Sequence, residues 1–449
     1  MSPDHVWFIY LPQFIRKRIE GRQTLQKIID NAGWLFFDKV LRMGVGLFIN
    51  IWVVRYLGPE RFGLLSYSSA FVALFATFAT LGLDGIVIRE LVRKPDESRE
   101  ILGSALILRL IGGVCSFFVC MGLFLLLRQS DATGRMLVAI ITAGMVFQAF
   151  DVIDFWFQSR MQSRYTVIAK NSAFLVAAFI KIGLILAQAS LVAFACAAFL
   201  EVIFGAIGMM LFYNKSGFRI GEWYSTFDRC RHMLNDSWPM ILSGLSIAIY
   251  MKIDQIMLGD MAGNGAVGIY TSATKLSEIW YMIPTIVVSS VFPTIVKSKN
   301  QDEQLYQRRI TRLFSMMAGI SLLIAIPMSL CSSRVVTAMY GNAYQAAGPV
   351  LAVHIWASLF VFYGVAQGPW DLTENLTRLA MVRIITGAIV NILLNFWLIP
   401  AYGPIGAAVA TVVSQALAAV FLNLLHEKTR PIFYCQIKSL LFVRYLRGL

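Results

Sequence analysis

Long apolar stretches, broken by short polar or charged ones, follow one another along the chain from Ala32 to Leu425. A helix that crosses about 30 Å of hydrocarbon needs about 20 apolar residues, and the pattern supplies twelve such stretches. The predicted spans are 33–55, 64–87, 101–127, 135–157, 166–188, 191–213, 238–260, 266–293, 312–333, 346–369, 378–399 and 404–425. The pattern predicts an all-α membrane protein of about twelve transmembrane helices.

The composition agrees with a membrane protein and leaves little chain for a soluble domain. Hydrophobic residues make up 58% of the chain and charged residues 14%, with a mean hydropathy of +0.67, whereas soluble domains carry roughly 25% charged residues. The six cysteines show no spacing typical of a zinc site or a disulfide framework. We therefore expect no metal and no cofactor.

The basic residues indicate how the chain is oriented in the membrane. With the amino terminus inside, 26 of the 39 Lys and Arg residues flank the spans on the cytoplasmic side and five lie outside, as the positive-inside rule requires. These clusters, rather than one folded basic face, explain the net charge of +14 and argue against nucleic-acid binding. Both termini are predicted to be cytoplasmic.

An internal repeat divides the predicted spans into two halves. Trp156, Ser159 and Arg164 recur at the same spacing as Trp370, Thr373 and Arg378, and six spans separate the two sets. Two related six-helix lobes are common in transporters. The predicted divisions are an interfacial or mobile basic segment (1–31), an N-lobe (32–213), a cytoplasmic linker (214–236), a C-lobe (237–426) and a basic tail (427–449).

Charged residues inside the predicted spans are the candidate functional groups, because each costs about 2.5–3.5 kcal/mol in hydrocarbon unless it faces protein or water. Lysine and arginine can replace the hydration shell of a phosphate group with charge-assisted hydrogen bonds. The candidate substrate path consists of Lys39, Arg42, Lys181, Lys252 and Lys275. Lys181 is the best single candidate, because no acid lies within four residues of it along the chain.

Alternative roles remain open for several of these charges. Asp38 with Arg42, and Lys275 with Glu278, are spaced to neutralise each other on one helix face. Arg109, Lys170 and Arg383 begin near the inner interface, where long side chains snorkel towards water. Aromatic and amide side chains could stack on sugars or serve as interfacial anchors and packing groups; these are Trp156, Gln158, Trp280, Tyr281 and Trp370.

Several motifs resemble the polysaccharide-export branch of the multidrug/oligosaccharidyl-lipid/polysaccharide (MOP) transporter superfamily, the Wzx-type O-antigen flippases. They are spread over both halves of the chain, as RYLGPE (55–60), LGLDG (81–85), YMKIDQIMLG (250–259), KLSEIWY (275–281) and YGPIGAA (402–408). The resemblance implies a flippase of the bacterial inner membrane that moves an undecaprenyl-pyrophosphate-linked oligosaccharide from the cytoplasmic to the periplasmic face by alternating access. It also implies contact with polysaccharide polymerase or assembly proteins.

Ion coupling, which the same resemblance suggests, is assigned to the buried acids Asp154, Asp254 or Glu278. A drug/cation antiporter of the same fold is the first alternative, and it predicts an acidic cavity. A membrane glycosyltransferase or ligase is the second. It predicts an acid or metal cluster beside a large loop, and the predicted external loops, such as 189–190, are short.

Overall fold

The computed structural model describes residues 23–299 and 301–440, and all regular structure in these ranges is helical. The predicted interfacial segment falls mostly on residues 1–22, outside this range, as does part of the basic tail. The helices are α1 Gln23–Thr80, α2 Asp84–Arg93, α3 Ser98–Leu127, α4 Ala132–Phe147, α5 Val152–Ser159, α6 Ser163–Leu186, α7 Leu191–Lys215, α8 Phe227–Met261, α9 Asn264–Glu278, α10 Met282–Lys299, α11 Glu303–Tyr340, α12 Ala347–His354, α13 Ala357–Thr373, α14 Thr377–Ala419 and α15 Arg430–Leu440.

Ten stretches of the described chain are long and apolar enough to cross a membrane. Two of them cross twice, because their 69 and 48 residues would extend about 100 and 70 Å at 1.5 Å per residue. Each is broken at a glycine with positive φ next to a proline, Gly58 (φ 70°) before Pro59 and Gly403 (φ 54°) before Pro404. The twelve predicted crossings and the all-α class are therefore confirmed.

One compact unit, here unit 1, is formed by the described residues up to Tyr56 together with Phe71–Leu245. A buried hydrophobic cluster in it joins α2, the start of α3, α5 and the end of α7. Trp156 lies at the centre of an aromatic group, edge-on to Phe157, Tyr213 and Phe218 at ring-centroid distances of 5.0, 5.1 and 4.8 Å. This packing fixes α5 relative to the end of α7.

The second compact unit, here unit 2, comprises Leu57–Ala70 and the described residues from Ser246 onwards. A buried hydrophobic cluster in it is built by α11, α13 and α15 around Tyr306, Phe314, Phe362 and Tyr363. Helix α15 belongs to the segment predicted as a basic tail. It is held by a buried polar contact, in which Tyr363 donates to the Gln436 carbonyl at 3.2 Å. The limits of the two predicted lobes stay a prediction.

The segment predicted as a linker is partly structured in unit 1. A short 3-10 turn covers Ile220–Glu222 and α8 begins at Phe227, eleven residues before the predicted span. Arg229 at the start of α8 pairs with Glu97 and, at 3.4 Å, with Glu100. These ion pairs stabilise a polar first part of the helix. Hydropathy detects only the apolar part that follows it.

Glycines allow a close backbone approach between Leu57–Ala70 and α9 inside unit 2. A Cβ atom on Gly63 would overlap the Asn264 carbonyl, and one on Gly268 would overlap the Pro59 carbonyl. Tyr67 reinforces the contact by donating to Asp260 at 2.9 Å. Any side chain at Gly63 or Gly268 must therefore push the two backbones apart.

We predict that Gly268→Leu destabilises the protein by about 3 kcal/mol or more, at the upper end of overpacking effects, because backbone has to move. The matched control is Gly122→Leu in α3, where an added Cβ meets nothing within 4 Å. Thermal unfolding of the detergent-solubilised protein measures both variants. Equal midpoints for the two variants would show that the contact is not tight.

Candidate functional site

An ionic cluster in unit 1 connects α7 with two helices that carry predicted site residues, α1 and α6. Arg42 on α1 donates to Asp38 at 2.9 Å and lies 3.7 Å from Glu201 on α7. Lys181 on α6 binds the same Glu201 at 3.4 Å. The carboxylate of Glu201 thus bridges two cations of the predicted substrate path, and the predicted pairing of Asp38 with Arg42 is confirmed.

A second group of charges in unit 1 surrounds Lys170 on α6. Its ammonium lies 2.9 Å from Asp151 and 3.0 Å from Asp154. Asp154 is buried, so the predicted coupling acid is held by a cation. Lys170, considered for snorkelling, thus turns towards two acids of the neighbouring helical segment.

A cavity of about 250 Å³ lies between these two groups of charges within unit 1. Four charged side chains line it, and their exposed fractions are 33% for Arg42, 23% for Glu201, 30% for Lys170 and 31% for Asp151. The other lining residues are Phe147, Gln148, Val202, Gly205, Ala206 and Met209. Two cations and two carboxylates face it, so the lining is charge-balanced.

A buried polar cluster in unit 2 centres on Asp254 of α8. Its carboxylate accepts hydrogen bonds from Tyr270 at 2.7 Å, Thr411 at 2.6 Å and Asn395 at 2.5 Å. Neutral groups thus supply these three bonds, and the side chain is only 4% exposed. A buried negative charge is costly when only neutral donors hold it, so binding of a cation or a proton to this carboxylate is electrostatically favourable.

Further oxygen atoms surround Asp254. Asn395 donates to Asn391 Oδ1 at 3.1 Å, and Asn395 Oδ1 is buried with no hydrogen-bond partner. Asn391, Asn395 and Thr411 are not among the site residues predicted from the sequence. The spacing of Asn391 and Asn395 could have indicated this cluster, since amides four residues apart share a helix face in an otherwise apolar span. No group of three or more His, Cys, Asp and Glu suited to a metal occurs among the described residues.

Lys252, Lys275 and Glu278 form a partly buried charged group in unit 2. The charges of Lys252, Lys275 and Asp254 all act on the Glu278 carboxylate. The ammonium of Lys275 also lies 4.9 Å from the centre of the Phe62 ring. Counted together with Asp254, the two lysines and two carboxylates sum to zero charge when both acids are ionised, and loss of either negative charge leaves the four residues positive.

The remaining candidates lie apart from these clusters or are closed off. Lys39 is exposed on α1. Arg109 and Arg383, which were considered for snorkelling, each pair with an acid: Arg109 binds Asp84 and Arg383 binds Asp371, each at 2.5 Å. The Arg383 and Asp371 side chains are only 11% and 8% exposed, which makes this a structural pair.

Two of the aromatic residues considered for sugar stacking are buried. Trp156 is 2% and Trp370 is 4% exposed, each within a hydrophobic cluster of its own unit. Their rings are covered by neighbouring side chains and unavailable to a sugar. Gln158, Trp280 and Tyr281 are partly exposed and stay candidates.

The family model described as polysaccharide biosynthesis protein matches residues 28–299. Among curated proteins, the chain is 25% identical to a probable flippase AglR of Haloferax volcanii, over 88% of this chain and 83% of that protein. It is 22% identical to a putative O-antigen transporter of Shigella flexneri, over 90% of this chain and 99% of that protein. These relatives are named as flippases or transporters rather than as enzymes.

Two solved structures share the fold. An inward-facing MATE-family multidrug resistance transporter of the MOP superfamily matches with a TM-score of 0.71 at 14% identity, covering 90% of this chain and 96% of its own. The lipid II flippase MurJ in an inward closed conformation matches with 0.65 at 16% identity, covering 93% of each. The resemblance to the MOP superfamily predicted from the motifs is confirmed.

We predict that removing one member of the closed pair costs more than removing both. Asp371→Leu leaves the Arg383 charge buried without its carboxylate and should destabilise the protein by about 3–5 kcal/mol. Asp371→Leu combined with Arg383→Met should recover most of this loss. Thermal or SDS-induced unfolding of the solubilised protein tests this, and a double variant less stable than the single one would contradict it.

Proposed function

The chain belongs to the polysaccharide biosynthesis protein family, and on that premise we propose that it is a flippase for a lipid-linked oligosaccharide. It carries an undecaprenyl-pyrophosphate-linked repeat unit from the cytoplasmic to the periplasmic leaflet of the bacterial inner membrane, by alternating access. The observation that carries this proposal is the match to relatives named as flippase and O-antigen transporter over 83% and 99% of their lengths.

The proposed path for the pyrophosphate and the sugars runs past Lys39, Arg42, Lys181, Lys252 and Lys275. Lys252 and Lys275 are the preferred candidates for the pyrophosphate, since both are partly buried beside Glu278 and next to the buried Asp254, whose charge a bound cation would remove. Arg42 and Lys181 are less available, because both bind Glu201. An anion reaching them has to compete with that carboxylate.

Asp254 is the preferred coupling residue among Asp154, Asp254 and Glu278. A proton or a sodium ion bound at its oxygen-rich cluster would remove one negative charge from the group that contains Lys252, Lys275 and Glu278. This group would then be positive and attract pyrophosphate more strongly. By linkage, bound pyrophosphate would raise the affinity for the cation by the same factor.

The fold is shared with a multidrug transporter, so a drug/cation antiporter is the alternative function. It requires a path with net negative charge, whereas the unit 1 cavity is charge-balanced and the group of Lys252, Lys275, Glu278 and Asp254 is neutral with both acids ionised. A glycosyltransferase or ligase finds no support in the names of the relatives. Polysaccharide polymerase and assembly proteins remain proposed partners.

We predict that wild-type protein in proteoliposomes flips a fluorescent polyprenyl-pyrophosphate oligosaccharide. Lys252→Ala and Lys275→Ala should lower the rate at least tenfold at equal incorporation, because each removes a charge-assisted contact worth about 1.5–3 kcal/mol. Lys297→Ala, which changes an exposed lysine at the end of α10, is the matched control and should keep the wild-type rate.

The opposite pattern identifies the alternative. Wild-type protein that ignores this lipid but exports organic cations would favour the drug/cation antiporter, and neutralising acids rather than lysines would then stop transport. Flipping with Lys252→Ala and Lys275→Ala at the wild-type rate would leave the flippase function standing and remove these lysines from the path.

For coupling, we predict that Asp254→Asn abolishes the response of flipping to an imposed proton or sodium gradient. The amide carries no negative charge that a bound proton or sodium ion could neutralise. Asp154→Asn and Glu278→Gln are the comparison variants. Flipping rates are measured in proteoliposomes with and without each gradient. An unchanged gradient response in Asp254→Asn would exclude this residue as the coupling site.

A further inference from the structure

The unit 1 cavity has an arrangement of charges unlike that of a phosphate site. Each ion that lines it already has an oppositely charged partner, Arg42 with Glu201 at 3.7 Å and Lys170 with Asp151 at 2.9 Å. A phosphate that entered would have to displace a carboxylate or lie beside it, and like-charge repulsion opposes both. The cavity therefore disfavours an anionic ligand.

The same pairs suit an uncharged ligand that is rich in hydroxyl groups. A hydroxyl donates to a carboxylate and accepts from an ammonium or guanidinium at once, so it can bind beside a pair without breaking it. The partial exposure of all four side chains, between 23% and 33%, leaves donor and acceptor atoms available. The closed Arg383–Asp371 pair offers no such opening.

The neutral part of the lining fits the same chemistry. Gln148 adds an amide that both donates and accepts, and Phe147 adds an aromatic ring for the apolar face of a sugar. The cavity of about 250 Å³ is smaller than the roughly 300–1,000 Å³ of pockets for drug-sized ligands. It has room for one pyranose ring rather than for a whole oligosaccharide.

We propose that this cavity, lined by Arg42, Gln148, Asp151, Lys170 and Glu201, is a subsite for one uncharged pyranose residue of the transported oligosaccharide. The inference rests on the proposed flippase function and deepens it. It assigns sugar recognition to paired charges of unit 1, and it assigns the pyrophosphate to other residues. Arg42, which was predicted to lie on the phosphate path, thereby becomes part of a hydroxyl-binding pair with Glu201.

A cavity-filling variant tests the subsite without altering any charge. Gly205 lines the cavity, and a Cβ added to it meets only the Ala173 Cβ at 4.0 Å. Gly205→Leu should therefore fill the space where the ring lies. Gly183→Leu is the matched control in the neighbouring α6, where an added Cβ meets nothing within 4 Å and the cavity is not reached.

The probes are methyl glycosides of common neutral and N-acetylated hexoses, measured by saturation-transfer NMR on the full-length solubilised protein. We expect at least one glycoside to bind wild type and Gly183→Leu alike, and Gly205→Leu to weaken it at least tenfold. Inorganic pyrophosphate should not compete. Gln148→Leu, which removes only the amide, gives a second variant if Gly205→Leu fails to fold.

Three results would overturn the subsite: no glycoside binding to wild type, equal binding to both leucine variants, or displacement of the glycoside by pyrophosphate. The binding measurement needs no transport, so its outcome is separate from that of the flipping assay. Flipping by wild type without any glycoside binding would retain the flippase function and reject the subsite. Glycoside binding without flipping would retain the sugar site and reject the flippase function.

Discussion

The cost of holding a charge in hydrocarbon is the constraint on which the arrangement of this protein depends. A lysine, arginine or aspartate in mid-membrane costs about 2.5–3.5 kcal/mol unless it is paired or faces water. The chain meets this cost in two ways. Asp371 and Arg383 form a closed pair with almost no exposed surface, whereas Arg42, Glu201, Lys170 and Asp151 pair along the wall of a cavity.

This difference separates structural from functional charges better than burial alone. A closed pair has no room for a ligand and adds only specificity to helix packing. An open pair keeps unused donors and acceptors and can take a ligand without losing its partner. The charged residues of predicted spans therefore need to be compared by the space beside each pair, and that space depends on small residues such as Gly205 and Ala206.

Hydropathy and glycine–proline punctuation were sufficient to predict the class of fold and its twelve crossings, because both depend on local sequence. The breaks at Gly58 and Gly403 follow from positive φ beside proline. Ion pairs within one helix, such as Asp38 with Arg42, could also be predicted from the sequence spacing. Partners on different helices were not, since the meeting of Lys181 with Glu201 depends on helix rotations that spacing does not encode.

Because partners on different helices could not be predicted, the path expected from the sequence contained cations only and omitted the acids that pair with them. Counting basic residues treats each as free, but the pairing of Arg42 and Lys181 with Glu201 removes most of their pull on an anion. In the cluster around Asp254 the carboxylate is held by neutral donors, so the proposed binding of a cation would switch its charge. An anion and an uncharged sugar ring make different demands on a protein. Paired charges and switchable charges, in separate units, can meet both.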